Sequence, residues 1–119
     1  MSSAPTSAPA QDTTGPGSAS DVPLRVIFMV TVPEDRTERF LAAYDGISRR
    51  VAEVDGHVED QVAQSTTDPT RWVITSLWET AAAFEVWERS TEHRTLVAPM
   101  RECFTDPVSL RFAVRRQTR

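Results

Sequence analysis

The sequence predicts an α+β fold with the element order β-α-β-β-α-β, and three stretches carry the prediction. Leu24 to Val32 (LRVIFMVTV) alternates in period two, with Leu24, Val26, Phe28 and Val30 on one face and Arg25, Ile27, Met29 and Thr31 on the other. Pro33 to Ala52 places Phe40, Tyr44, Ile47 and Val51 at helical spacing. Thr70 to Glu88 begins as a strand, with Trp72, Ile74, Ser76 and Trp78 sharing one face, and then changes period at Phe84 and Trp87. A strand that ends in tryptophan and runs straight into a helix sets an aromatic wall over a sheet. The order is the split βαβ, ferredoxin-like arrangement, in which helices cover one face of a four-stranded antiparallel sheet.

The elements follow in chain order. Residues 1–22 are rich in Ser, Ala, Thr, Pro and Gly, cannot bury enough apolar surface to fold, and read as a disordered tail. They lack the basic and apolar regions of a signal peptide, and no apolar run approaches a membrane span, so the expectation is a cytoplasmic protein. Residues 23–116 are the folded domain and residues 117–119 its C-terminal end. Strand 1 stops at Pro33, and Glu34 and Asp35 suit the first turn of the helix that follows. Asp55-Gly56 is a turn that opens strand 2, His57 to Ser65, whose alternation puts Val58, Asp60, Val62 and Gln64 on one face and His57, Glu59, Gln61 and Ala63 on the other. Thr66 to Pro69 is a hairpin loop into strand 3. Thr80 and Ser90 are positioned to cap two helical segments, the second carrying Leu96, Val97, Met100 and Phe104 and expected to kink or restart at Pro99. Pro107 to Arg115 is the last strand.

One sheet face is left over. Ile27, Met29, Val73 and Leu77 make it largely apolar, and a single small domain has nothing to cover it, which predicts a homodimer packed sheet to sheet.

Composition narrows the chemistry. Net charge is −4 with no basic run, so nucleic acid is not expected as a partner. All thirteen Lys+Arg residues are arginine, which removes lysine Schiff-base chemistry and a Walker-type phosphate loop. The four glycines form no dinucleotide fingerprint. With Cys103 alone and only His57 and His93 as histidines, no metal site is expected.

On these residues the chain resembles the antibiotic biosynthesis monooxygenase family, the dimeric α+β-barrel proteins. The resemblance spans about residues 24–115 and rests on the element order, on Asp55-Gly56 opening strand 2, and on Leu77-Trp78-Glu79 followed by Ala83-Phe84. Within the family the chain is most similar to small monooxygenases of aromatic polyketide pathways, which oxidise anthrone-like rings to quinones without flavin or metal. The resemblance therefore implies a small aromatic substrate, no cofactor, and a cavity between sheet and helices on the face of Trp78. The same cavity without oxygen would suit a polyketide cyclase or dehydration aid, and a non-catalytic pathway partner is the third reading. Relatives of this type present an asparagine from strand 1 and another from strand 3. The matching positions are Phe28 and Ile74, and this chain contains no asparagine.

On that basis Trp78, Asp60 and His93 are the catalytic candidates, and Trp72, Ser76, Phe28, Ile74, Tyr44, Phe84 and Val62 the substrate-binding ones. Trp78 is either a ring-stacking wall or a core aromatic. Asp60, on the expected cavity face, is either a proton acceptor whose basicity burial would raise or a solvated carboxylate on an edge strand. His93 is an acid or base reaching in from a helix, or a packed histidine. Tyr44 offers a hydroxyl to a substrate phenol or a satisfied core hydroxyl. His57 falls on the strand face opposite Trp78, which favours an interface or turn role. Trp87 reads as helix packing, Arg101 as an anion holder or a surface arginine, and Cys103 as a small buried hydrophobe.

Overall fold

The computed structural model of the protein describes residues 21–119, so residues 1–20 of the expected tail lie outside the described residues. The alternating stretches form β1 (Leu24–Thr31), β2 (His57–Gln64), β3 (Arg71–Trp78) and β4 (Thr105–Ala113), all antiparallel, in the sheet order β2-β3-β1-β4. The helical stretches form α1 (Thr37–Val51), α2 (Ala81–Glu88) and α3 (Thr91–Arg101). The expected α+β, ferredoxin-like architecture is present. None of the described helices is long and apolar enough to cross a membrane.

Local chemistry sets the boundaries. Thr80 Oγ1 accepts from the Ala83 amide at 3.1 Å and Ser90 Oγ from the His93 amide at 3.0 Å, so both expected caps are made and two separate helices result. Other boundaries differ from expectation. Glu34–Arg36 is a 3-10 turn ahead of α1, and α3 runs through Pro99 without interruption. Pro99 lies in the last turn of α3, where the missing N–H leaves only the Thr95 carbonyl without its helical donor. β4 begins at Thr105, two residues before Pro107, because a register shift opposite Met29 to Thr31 accommodates Pro107, with Asp106 at φ 56°.

Helices and sheet enclose two apolar clusters. One holds Leu24, Val26, Val51, Trp78, Phe84 and Trp87; the other holds Val30, Val32, Phe40, Trp72, Met100 and Cys103. Each fully buried side chain of this size contributes roughly 1.5–3 kcal/mol. The β1–β3 register sets Leu24 opposite Trp78, Val26 opposite Ser76 and Phe28 opposite Ile74, which makes these residues the floor beneath the helices.

The outer face is apolar as expected, and β4 enlarges it. Val108, Leu110 and Phe112 pair with Met29, Ile27 and Arg25, and all three are exposed. Leu77 is already buried within the chain: Arg25 and Glu59 both stand opposite it and pair with each other at 3.2 Å.

Candidate functional site

Above the floor lies a cavity of about 240 Å³. That is slightly smaller than the roughly 300–1,000 Å³ of pockets for drug-sized ligands, so a compact ring system is the scale it suits. Phe28, Ile74 and Ser76 line it from the sheet, Tyr44 and Ile47 from α1, Phe84 and Trp87 from α2, and His93 and Val97 from α3.

Trp78 is the fixed wall. Its side chain is 1% exposed, Phe84 packs edge to face against it with centroids 5.5 Å apart, and its Nε1–H donates to Ser76 Oγ at 3.0 Å. Strand 3 delivers both residues to one face because they are two apart. The Ser76 oxygen therefore accepts from the indole and keeps its own hydrogen for another acceptor.

The polar centre is built on β2. Asp60 stands opposite Ser76 and lines the cavity. β2 is an edge strand, as one expectation for Asp60 required, yet the carboxylate is largely buried because Tyr44 reaches down from α1 and donates its hydroxyl to Oδ2. Burial first, then the bond to Asp60 and its charge, hold the Tyr44 phenol well above the usual tyrosine range, so it remains a donor.

His57 is where the structure corrects the sequence. Period-two alternation puts it on the far face, but the register shifts between His57 and Glu59, so His57 pairs with Trp78 and Asp60 with Ser76. The extra residue, Val58, is expected on the cavity face and is instead 43% exposed. His57 packs edge to face on Trp78 with centroids 5.3 Å apart, and its Nε2 lies 3.2 Å from Asp60 Oδ1. That pair is close but misaligned: Nε2 is buried and makes no hydrogen bond.

In the roof, His93 packs edge to face on Trp87 at 5.4 Å, and its Nδ1 is buried without a partner. Burial first and the nearby Arg101 charge second push the imidazole below the usual histidine pKa, with Glu88 opposing. Glu88 also lines the cavity and is held by Arg111 at 2.6 Å, while the Arg111 guanidinium lies 5.0 Å over the Phe84 ring.

The structure thus gathers Trp78, Asp60, His93, Ser76, Phe28, Ile74, Tyr44 and Phe84 around one space, with Trp87 and Arg101. Trp72 and Val62 share the floor face but do not line the cavity. Trp72 packs on Phe40, with ring centroids 5.5 Å apart, in the second core cluster, and Val62 packs against that same cluster. Alternation assigns a face, and where the cavity ends along that face is decided by the helices above it. Cys103 is buried in that cluster, as expected of a small hydrophobe. Besides His57, sequence reasoning missed Glu88 and Ser109 as lining residues, since both reach the cavity only through the docking of α2 and β4.

Residues 23–99 match the family model described as Antibiotic biosynthesis monooxygenase. A 42.8 kDa protein in the whiE locus of Streptomyces coelicolor is 46% identical over 95 residues, which cover 80% of this chain and 24% of that protein. Protein SchA of Streptomyces halstedii is 40% identical and Polyketide synthase CurD of Streptomyces cyaneus 36% identical, each over 80% of this chain and 25% of the relative. The chain thus spans about a quarter of the length of these curated relatives. Among solved structures, SnoaB, a cofactor-independent oxygenase from Streptomyces nogalater, aligns with a TM-score of 0.73 at 14% identity, covering 81% of this chain and 96% of that one. A conserved protein from Methanosarcina mazei aligns with a TM-score of 0.74 at 14% identity over 82% and 97% of the two chains. At these identities the structural likeness concerns the fold alone.

Proposed function

This chain belongs to the antibiotic biosynthesis monooxygenase family, and from that premise we propose that it oxidises a small aromatic polyketide, an anthrone-like phenol, to a quinone without a cofactor. The carrying observation is an apolar cavity walled by Trp78 into which one carboxylate, Asp60, is held by the Tyr44 hydroxyl. The similarity to a relative named Polyketide synthase CurD supports the substrate class.

The chemistry suits such a site. The ring stacks on Trp78, and a base on the floor, where Asp60 lies, takes a proton from the substrate's acidic carbon. His93, whose Nδ1 is buried without a partner, turns that nitrogen to accept a phenolic hydrogen from the roof. The resulting enolate gives one electron to dioxygen, the radical pair joins to a peroxide on that carbon, the peroxide takes the proton back from the base, and loss of water with the carbon's second hydrogen leaves the new carbonyl. One oxygen atom enters the quinone and one leaves as water. The protein's contribution is orientation, exclusion of water and the management of protons. In this reading two chains pair through the outer sheet face, where Val108, Leu110 and Phe112 are exposed.

The test is oxygen uptake with 1,8-dihydroxyanthrone, the protein being freed of metals by chelation. One oxygen consumed per quinone formed is expected, and Trp78→Ala should abolish the acceleration. Tight binding without oxygen consumption would overturn the oxygenation. It would favour the second reading, a cyclase or dehydration aid, which the absence of any asparagine and the presence of proton-handling groups both suit.

A further inference from the structure

We propose that His57, Asp60 and Tyr44 form a relay that removes a proton from an acidic carbon of the bound ring, with His57 as the group that receives it. The proposal rests on the cavity being an aromatic-substrate site, and it needs no oxygen.

Three observations combine. The register shift in β2 turns His57 from the outer face to the cavity, where it is fixed edge-on against the Trp78 wall. Asp60 has one oxygen occupied by Tyr44 and the other 3.2 Å from His57 Nε2. Nε2 is buried and unpaired, and a buried N–H left without an acceptor costs about 1–3 kcal/mol. A small rotation of the ring aligns Nε2–H on Oδ1 and removes that cost. The proton is then committed to Nε2, and Nδ1 is left as the acceptor.

The roles follow. With a donor beside each of its oxygens, Asp60 holds the imidazole rather than meeting the substrate. Tyr44 fixes Asp60; both are positioning residues. In the step itself the substrate C–H bond breaks, its electron pair passes into the neighbouring carbonyl as an enolate, and the proton bonds to His57. Reversal returns a solvent-derived hydrogen to the same carbon, so the relay has a signature independent of oxidation.

The experiment follows deuterium exchange at the methylene carbon of 1,8-dihydroxyanthrone in D2O under argon, by NMR, with ligand affinity read from tryptophan fluorescence. The expected result is accelerated exchange with the native chain and a loss of about 100-fold or more in His57→Gln, the scale of general-base catalysis, with affinity little changed. Asp60→Asn, which keeps the side-chain volume, should lower exchange less while also leaving affinity intact. Exchange in His57→Gln at the native rate would overturn the relay, as would a native chain that binds the anthrone without accelerating exchange. Native exchange without oxygen consumption would sink the oxygenation and leave the relay standing. Quinone formation undiminished in His57→Gln would do the reverse.

Discussion

The Tyr44 hydroxyl donates to Asp60 Oδ2, and that bond ties α1 in the roof to β2, the edge strand of the floor. An edge strand has a neighbour on one side only, so a side-chain tether from the helix layer matters more here than in the middle of the sheet. Hydrogen bonds to charged groups are worth about 1.5–3 kcal/mol, and partial exposure lowers this. Tyr44→Phe should therefore cost about 1–2 kcal/mol at neutral pH in urea denaturation. The pH dependence has a definite sign. The folded-state pKa of Tyr44 is raised, so its stabilisation is complete below the unfolded value of about 10 and is lost as pH rises beyond it. The native chain should lose stability above that pH more steeply than Tyr44→Phe.

His93 titrates in the opposite sense. Its folded pKa is lowered, chiefly by burial, so the stability it contributes is present above the unfolded value of about 6.5 and is lost as pH falls from there through the folded value. Stability measured across that acidic range should fall less in His93→Gln than in the native chain. Equal slopes would mean that the imidazole is not buried in solution.

Gly56 holds the turn before β2 against α2. Its φ is +88°, and a Cβ there would overlap the Ala83 Cβ. Gly56→Ala should destabilise by at least about 2 kcal/mol, since it combines backbone strain with a clash. Adding Ala83→Gly should recover only part of that, because the strain at φ stays. Full recovery in a thermal melt would show that the clash alone mattered.

The two floor tryptophans should behave differently. Trp78→Phe removes cavity wall and the bond to Ser76, so affinity for a planar phenol should fall several-fold. Trp72 has a buried Nε1 with no partner, and Phe40 packs on its ring. Trp72→Phe discards that unpaired donor while opening a small cavity, so stability should change by less than about 1.5 kcal/mol. Affinity should not change, and a matching affinity loss in both variants, read by fluorescence titration, would place the ligand further along the floor than proposed.

The exposed Leu110 lies beside Ile27 on the outer sheet face. A charge there should separate a sheet-to-sheet dimer, so Leu110→Arg should halve the mass seen by light scattering at micromolar concentration. A native chain that is already monomeric would rule out that pairing.

Much of this was legible before any coordinates. Periods of two and of about four residues placed the strands and helices, and the parity of Trp78, Ser76 and Ile74 with Phe28 identified the floor. Thr80 and Ser90 marked helix starts because their hydroxyls are the local partners for amides that have none within the helix. Asp60 was readable as a cavity carboxylate because nothing between it and Gln64 disturbs the alternation.

What only the tertiary structure decided are features that alternation cannot encode. A single extra residue at Val58 reverses the parity of everything before it, so His57 changed faces while Asp60 did not. The cavity's extent depends on where α1 and α3 dock, which leaves Trp72 packed on Phe40 and opens the space beside Trp78. Local sequence fixes which way a side chain leaves the backbone. Whether it meets another side chain or an empty space depends on residues distant in the chain, and packing alone brings those together.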